Sequence, residues 1–189
     1  KEESIKVAGV SYKKLKESSY NYNITINAVL VYAWHKLLSV YGNTKTTVVG
    51  TVISGRNLAI DNIEKSVGLY INTLPLIIKH DAAQTILDAI INVQSNIIKI
   101  NHYSNIRLAS LQTEVRRLFD SLFIYENHPV FVSNGTNSDK FKINSLKIIE
   151  ELDYPLGLIV HEQNNEITIN LKYAGELFTP TTINNLLSG

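Results

Sequence analysis

The hydrophobic positions of this chain follow two rhythms, and the first half alternates between them. Residues 5–10 (IKVAGV) predict a short apolar strand, and Ser11–Ser19 a small polar helix carrying Tyr12, Leu15 and three lysines. Thr25 and Gly42 bracket the segment Ile26–Tyr41 as N-cap and C-cap of a helix. Ile26, Leu30, Ala33, Trp34 and Leu37 fall on one face of it, and Val29, Val31 and Leu38 widen that face. A helix apolar over most of its girth belongs inside a domain. Thr46–Ile53 (TTVVGTVI) is rich in β-branched residues and predicts a strand, with Gly50 marking a bulge or the close approach of another backbone. A turn at Ser54-Gly55-Arg56-Asn57 leads into an irregular stretch to Val67. Residues 68–79 begin as loop and become an apolar strand from Leu74, where Pro75 indicates the start of a strand or a sheet edge.

In residues 83–102 the period is helical, with Ile86, Ile90, Val93, Ile97 and Ile100 on one face. A short helix over Leu108–Leu118 and a strand over Ser121–Tyr125 follow. Phe131–Asp139 reads as a polar loop containing the turn signal Asn134-Gly135. Strands are expected at about 143–150, 156–161 and 166–173, the last two joined as a hairpin by Gln163-Asn164-Asn165. A closing helix starts near Pro180 with Thr179 as its cap. Interleaved elements followed by consecutive strands predict an α/β fold, a mixed sheet with packed helices, in one unit without repeats.

Composition narrows the classes of function. With 189 residues the chain can bury a genuine core, and a net charge of +1 gives no general attraction to nucleic acid. The basic clusters Lys13, Lys14, Lys16 and Arg116, Arg117 read as solvated helix faces. The absence of cysteine excludes disulfides and cysteine metal sites. No run reaches the roughly 20 apolar residues of a membrane span, and no basic-then-apolar leader opens the chain. A cytoplasmic home, without nucleic-acid or membrane partners, is therefore expected. No methionine is present, even at position 1, which suggests a fragment or a processed product.

Candidate chemistry is sparse. His35, His80, His102, His128 and His161 form no metal-binding pattern. His35 is expected to be a packed or surface imidazole, His80 and His102 to be surface residues ending a strand and a helix, and His161 an ordinary sheet position. There is no G-x-S-x-G elbow and no glycine-rich phosphate loop. Glu150 and Glu151 are adjacent on a predicted strand and would point to opposite faces. The residues alone thus describe an α/β lobe with no catalytic residue, no metal site and no self-contained active site.

Several stretches taken in order carry a resemblance. They are NAVLVYAWHKLLSVYG around Trp34, VVGTVISGRN (48–57), VGLYINTLPL (67–76) and LFDSLFIYENHP (118–129), then Asp153-Tyr154-Pro155-Leu156 and YAGELF (173–178). This succession resembles the second half of the condensation domains of non-ribosomal peptide synthetases, over nearly the whole chain. The resemblance implies one lobe of a two-lobed fold like chloramphenicol acetyltransferase, with residues 1–189 as the C-terminal half. The first lobe carries the histidine motif H-H-x-x-x-D-G; no His-His pair occurs in this sequence. The expectation is a lobe without catalysis of its own, on the acceptor side of a domain that joins carrier-bound aminoacyl or peptidyl thioesters into amides. No cofactor would be bound directly; substrates would arrive on the 4′-phosphopantetheine of peptidyl carrier domains. Implied partners are the N-terminal lobe, carrier domains and an adjacent adenylation domain, in bacterial secondary metabolism, and the isolated lobe is expected to dimerise or to be marginally soluble because of its uncovered apolar surface.

For the site, the resemblance implies that Arg56 pairs with the aspartate of the absent lobe's motif, a two-point hold suited to a guanidinium. It implies that Asn72 faces the tunnel, where its amide positions a substrate or hydrogen-bonds the loop that shapes the site. Ser54, Gly55, Gly68, Tyr70 and Thr73 are expected along the tunnel and lobe junction, with Gly68 allowing a close backbone approach. Asn127 and Pro129 end a strand near the acceptor side in architectural roles, and residues 131–142 are a candidate for the crossing arm. His102-Tyr103-Ser104-Asn105-Ile106 departs from the family's H-Q-D-Y-P-F pattern, which leaves room for a variant or degenerate domain. Two alternatives remain: a non-catalytic docking module for carrier proteins, or the lobe of a related acyltransferase that uses coenzyme A.

Overall fold

The computed structural model describes residues 1–57, 61–111, 117–127 and 152–188. The expected strand 143–150, the loop 131–142, Arg116, His128, Pro129 and the Glu150-Glu151 pair lie outside them. The chain opens with β1 (Glu2–Val7), α1 (Gly9–Asn21) and α2 (Ile26–Tyr41), continues with β2 (Thr46–Ser54), β3 (Ile71–Lys79) and α3 (Ile86–Asn101), and then has one turn of helix, α4 (Leu108–Leu111). It closes with β4 (Ser121–Glu126), β5 (Leu156–Gln163), β6 (Glu166–Tyr173) and α5 (Pro180–Ser188). The six strands form one mixed sheet in the order β1-β6-β5-β4-β2-β3. β2 and β5 both run parallel to β4, and every other pairing is antiparallel. The expected α/β fold with a mixed sheet is what the chain adopts.

Alternation decides which face is buried. Val49, Leu76, Phe123, Leu158 and Leu171 lie on one side of the sheet, all of them buried. α2 covers this side through Val31 and Trp34, and the Trp34 indole N–H donates to Ser121 Oγ at 2.9 Å, so a buried ring keeps its polar atom paired. Thr25 caps α2 by accepting from the Ala28 N–H at 3.1 Å, as its position in the sequence predicts.

Several boundaries move, for local reasons. The first strand occupies residues 2–7 rather than 5–10, because Gly9 at φ +60° turns the chain into α1. There Val10 is exposed on the helix. In α2, Ala33 faces solvent while Ala28 and His35 are buried, so the packed stripe is rotated from the expected one. β3 begins three residues before Leu74, and Pro75 sits in the edge strand, where its missing N–H costs no ladder bond. Gly50 is approached by an aromatic ring rather than a backbone: a Cβ there would overlap the ring of Phe119. α3 keeps Ile90 and Val93 buried but leaves Ile86 exposed at its first position. Arg117 and Leu118 lie outside α4. The hairpin turn holds Asn164 and Asn165 at φ 53° and 61°, the left-handed pair that a two-residue turn requires. Among the described residues, no helix is long and apolar enough to cross a membrane.

Candidate functional site

Because β2, β4 and β5 are mutually parallel, their carboxyl ends open at the same edge of the sheet. In open α/β sheets this is the edge where ligands bind. Ser54-Gly55-Arg56 leaves β2 there, Glu126-Asn127 leaves β4, and His161-Glu162 approaches the end of β5. β3, antiparallel to β2, starts at this edge with Ile71 and then Asn72.

The loop between β2 and β3 is organised by Arg56. One guanidinium nitrogen, Nη1, donates to the carbonyls of Ile63 at 2.8 Å and Ser66 at 3.0 Å. The group stands 4.7 Å from the centroid of the Tyr70 ring, a cation–π contact. The Tyr70 hydroxyl meets Ser66 Oγ at 2.6 Å, and Ser66 Oγ donates in turn to the Ile63 carbonyl at 2.8 Å. Gly55 donates its N–H to the Tyr70 carbonyl at 2.8 Å, and a Cβ at Gly55 would lie 2.6 Å from that oxygen, so the bond requires glycine. Ser54 Oγ accepts from the Arg56 N–H at 3.4 Å. At Gly68 a Cβ would stand 3.2 Å from the Tyr70 ring; the space is taken by an aromatic side chain of the same loop, where a backbone approach was expected.

Asn72 joins this loop to the segment after α3. Its amide donates to the carbonyls of Ser104 at 2.8 Å and Ile106 at 2.6 Å, and its Oδ1 accepts from the Thr73 N–H at 2.8 Å. An open cleft of about 280 Å³ runs beside it, lined by Gly55, Tyr70, Asn72, Ser104 and Arg107 among others. Ser104 Oγ is buried there with no hydrogen-bond partner among the described residues. Thr73 is half-buried, and Asn127 is exposed one residue beyond β4. Arg56, Tyr70, Asn72 and their glycines therefore converge, while Asn127 belongs to a second cleft near β5.

The histidines separate. His102 is exposed, as expected, but His80 is half-buried and bonded through Nε2 to Thr47 Oγ1 at 3.0 Å, which corrects its reading as a surface residue. The same hydroxyl meets His35 Nδ1 at 2.7 Å inside the core. Burial, and then the neighbouring His80, push the His35 pKa down to about 3. His161 Nδ1 lies 3.1 Å from Glu126 Oε2 at the carboxyl edge.

A model of the condensation domain matches residues 1–189. The chain belongs to the condensation-domain family. It is 40% identical over 171 residues, 87% of the chain, to the N-(5-amino-5-carboxypentanoyl)-L-cysteinyl-D-valine synthase of Amycolatopsis lactamdurans. To bacitracin synthase 3 of Bacillus licheniformis it is 33% identical over 172 residues, 87% of the chain. The match spans 5% and 3% of those relatives. The solved condensation domain of the Monacolin K polyketide synthase superposes with a TM-score of 0.74 at 16% identity, over 100% of this chain and 45% of that one. The fold is thus that of condensation domains, the two-lobed architecture like chloramphenicol acetyltransferase, and the chain spans less than half of such a domain.

Within that family, sequence motifs drew attention to Arg56, Asn72 and the stretch 102–106, but not to Ile63 and Ser66, nor to the carbonyls of Ser104 and Ile106 as acceptors for Asn72. A main-chain oxygen leaves no trace in residue identity. Tyr12, Tyr125 and Glu162, which meet near the end of β5, were also missed: the two tyrosines lie 150 and 37 residues from the glutamate in the chain. The one available signal was a glutamate on a strand face that is otherwise apolar.

Proposed function

We propose that this chain is the acceptor-side lobe of a condensation domain that forms amide bonds in non-ribosomal peptide synthesis. The amine of a carrier-bound acceptor would attack the donor's thioester carbonyl; the new C–N bond replaces C–S, the thiol leaves on the donor's phosphopantetheine, and the amine gives up a proton. The histidine motif would come from a first lobe, and this chain would supply tunnel wall and carrier-docking surface. The observation that carries the reading is the 40% identity to a peptide synthetase over 87% of the chain.

In this reading residues 1–189 are the C-terminal half, and the Arg56–Tyr70 loop lies at the lobe junction. Arg56 both organises its own loop and faces the partner lobe, with the motif's aspartate as its counter-ion. Asn72 fixes the segment 104–106 beside the tunnel. Val67, Leu69 and Ile71 are exposed at 102%, 91% and 65%, and this apolar strip would be covered by the first lobe or, in the isolated chain, by a second copy. Carrier and adenylation domains would be the working partners, in the cytoplasm.

The test is reconstitution. Joined to a condensation first lobe bearing H-H-x-x-x-D-G, the chain should restore dipeptide formation from two loaded carriers, and the chain alone should form none. Arg56→Ala should abolish product without loss of folding, and Arg56→Lys should restore little. Amide formation by the isolated chain, or full activity of Arg56→Ala, would overturn the assignment of roles.

A further inference from the structure

A second cleft opens at the carboxyl edge, between the end of α1, the first turn of α2, α3 and the ends of β4 and β5. It shares no lining residue with the cleft beside Asn72. Its walls are aliphatic, formed by Ile24, Ile26, Ile97 and Ile98, and its volume is about 570 Å³. Ser19, only 7% exposed, and Asn27 are lining residues, and the Ser19 Oγ and Asn27 Oδ1 are both buried without a hydrogen-bond partner among the described residues. Gln94, the neighbouring amide, is committed at both ends: it donates to the Asn23 carbonyl at 3.1 Å and accepts from the Thr25 N–H at 2.7 Å. The orphaned pair is therefore specific to two positions.

Among the described residues, Glu162 is the one charged group lining this cleft. Its carboxylate accepts from Tyr12 OH at 2.8 Å on one oxygen and from Tyr125 OH on the other. Burial, and then this carboxylate, raise the pKa of both phenols, which stay protonated and hold Glu162 in place. Each carboxylate oxygen keeps a further lone pair for a ligand. Lys16, 5.7 Å from the Tyr12 ring centroid, does not line the cleft.

These groups choose a sign. Asn27 Oδ1 can only accept, the Ser19 hydroxyl can accept, and Glu162 carries a full negative charge. Against them stands the first turn of α2, equivalent to about half a positive charge, with its Ala28 N–H already bound by Thr25 Oγ1. A whole charge with two further acceptors outweighs a half charge already capped.

We propose that this cleft is a binding site for a primary ammonium group on a branched aliphatic chain, with Glu162, Asn27 and Ser19 taking the ammonium protons and the four isoleucines the hydrocarbon. The assignment concerns this chain alone and does not depend on amide formation.

Three probes with one carbon skeleton test it: 3-methylbutylamine, 3-methylbutanol and 3-methylbutanoate, titrated into the intact chain and followed through the backbone amides of Ser19, Asn27 and Glu162 by NMR. The amine should bind at least about ten-fold more tightly than the alcohol, weaken as salt is raised, and exclude the carboxylate. Glu162→Gln should remove the preference for amine over alcohol, and Asn27→Asp should strengthen it. If the Glu162 variant unfolds, the Asn27 variant and the salt series still decide. Carboxylate binding equal to that of the amine, or no response to any probe, would overturn the proposal. A failed reconstitution of peptide synthesis would leave these titrations unaffected.

Discussion

Around Arg56 and Asn72, long polar side chains turn inward onto carbonyls of the same chain, at Ile63, Ser66, Ser104 and Ile106. Around Ser19 and Asn27, at the same edge of the sheet, buried oxygens have no partner among the described residues and belong to residues that line one cleft with the Glu162 carboxylate. The first region uses most of its polar groups to build a loop, with Ser104 Oγ as its one buried oxygen lacking a partner among the described residues; the second pairs its acceptors less completely. A buried polar group left unpaired costs about 1–3 kcal/mol, so the two regions should respond to substitution with opposite sign.

The largest effect is expected from another buried atom without a partner among the described residues, His35 Nε2 in the core. His35 is held neutral, with a pKa near 3 against an ordinary 6.5, so unfolding takes up a proton at any pH between those values. Its contribution is complete above about 6.5 and is lost as pH falls toward 3, at about 1.4 kcal/mol per pH unit. His80, whose pKa is lowered by burial and then by Lys36, adds with the same sign. Urea midpoints should therefore fall steeply from pH 6.5 to pH 4, and His35→Leu should flatten most of that slope. A pH-independent midpoint would show that His35 is hydrated.

Next comes Asn72→Leu, which strips the carbonyls of Ser104 and Ile106 of their donor and should destabilise by about 2 kcal/mol, read from denaturant unfolding. Arg56→Ala should cost about 1 kcal/mol, since its two Nη1 hydrogen bonds are only partly buried. It should also make residues 61–70 more open to limited proteolysis, which Arg56→Lys would reverse only in part. The smallest effect sharpens the contrast most: Ser19→Ala removes an unpaired buried hydroxyl and should be neutral or stabilising by up to about 1 kcal/mol. A loss of that size would mean that Ser19 has a partner, and the distinction between the two regions would fail.

Much of the scaffold could be read in the chain. The caps Thr25 and Thr179, the Asn164-Asn165 turn and the β-branched run of β2 are local signals, and local signals name the elements they sit in. The motifs around Trp34, Arg56 and Asn72 were legible too, as a family pattern. What escaped was set by neighbours distant in sequence. The stripe of α2 is rotated because burial depends on which residues of the sheet lie opposite, and His80 is half-buried because Thr47, 33 residues away, reaches its ring.

The amino-acid sequence by itself determined the α/β class, the order of the described helices and strands and the membership of the family, since periodicity, caps and motifs are carried by residues close together in the chain. Only the tertiary structure decided that the ends of β2, β4 and β5 open at one edge, that Arg56 holds main-chain carbonyls, and that Tyr12, Tyr125 and Glu162 meet beside two unpartnered oxygens. Strand direction, main-chain acceptors and unfilled hydrogen bonds are relations between distant segments, and no single stretch of residues encodes them.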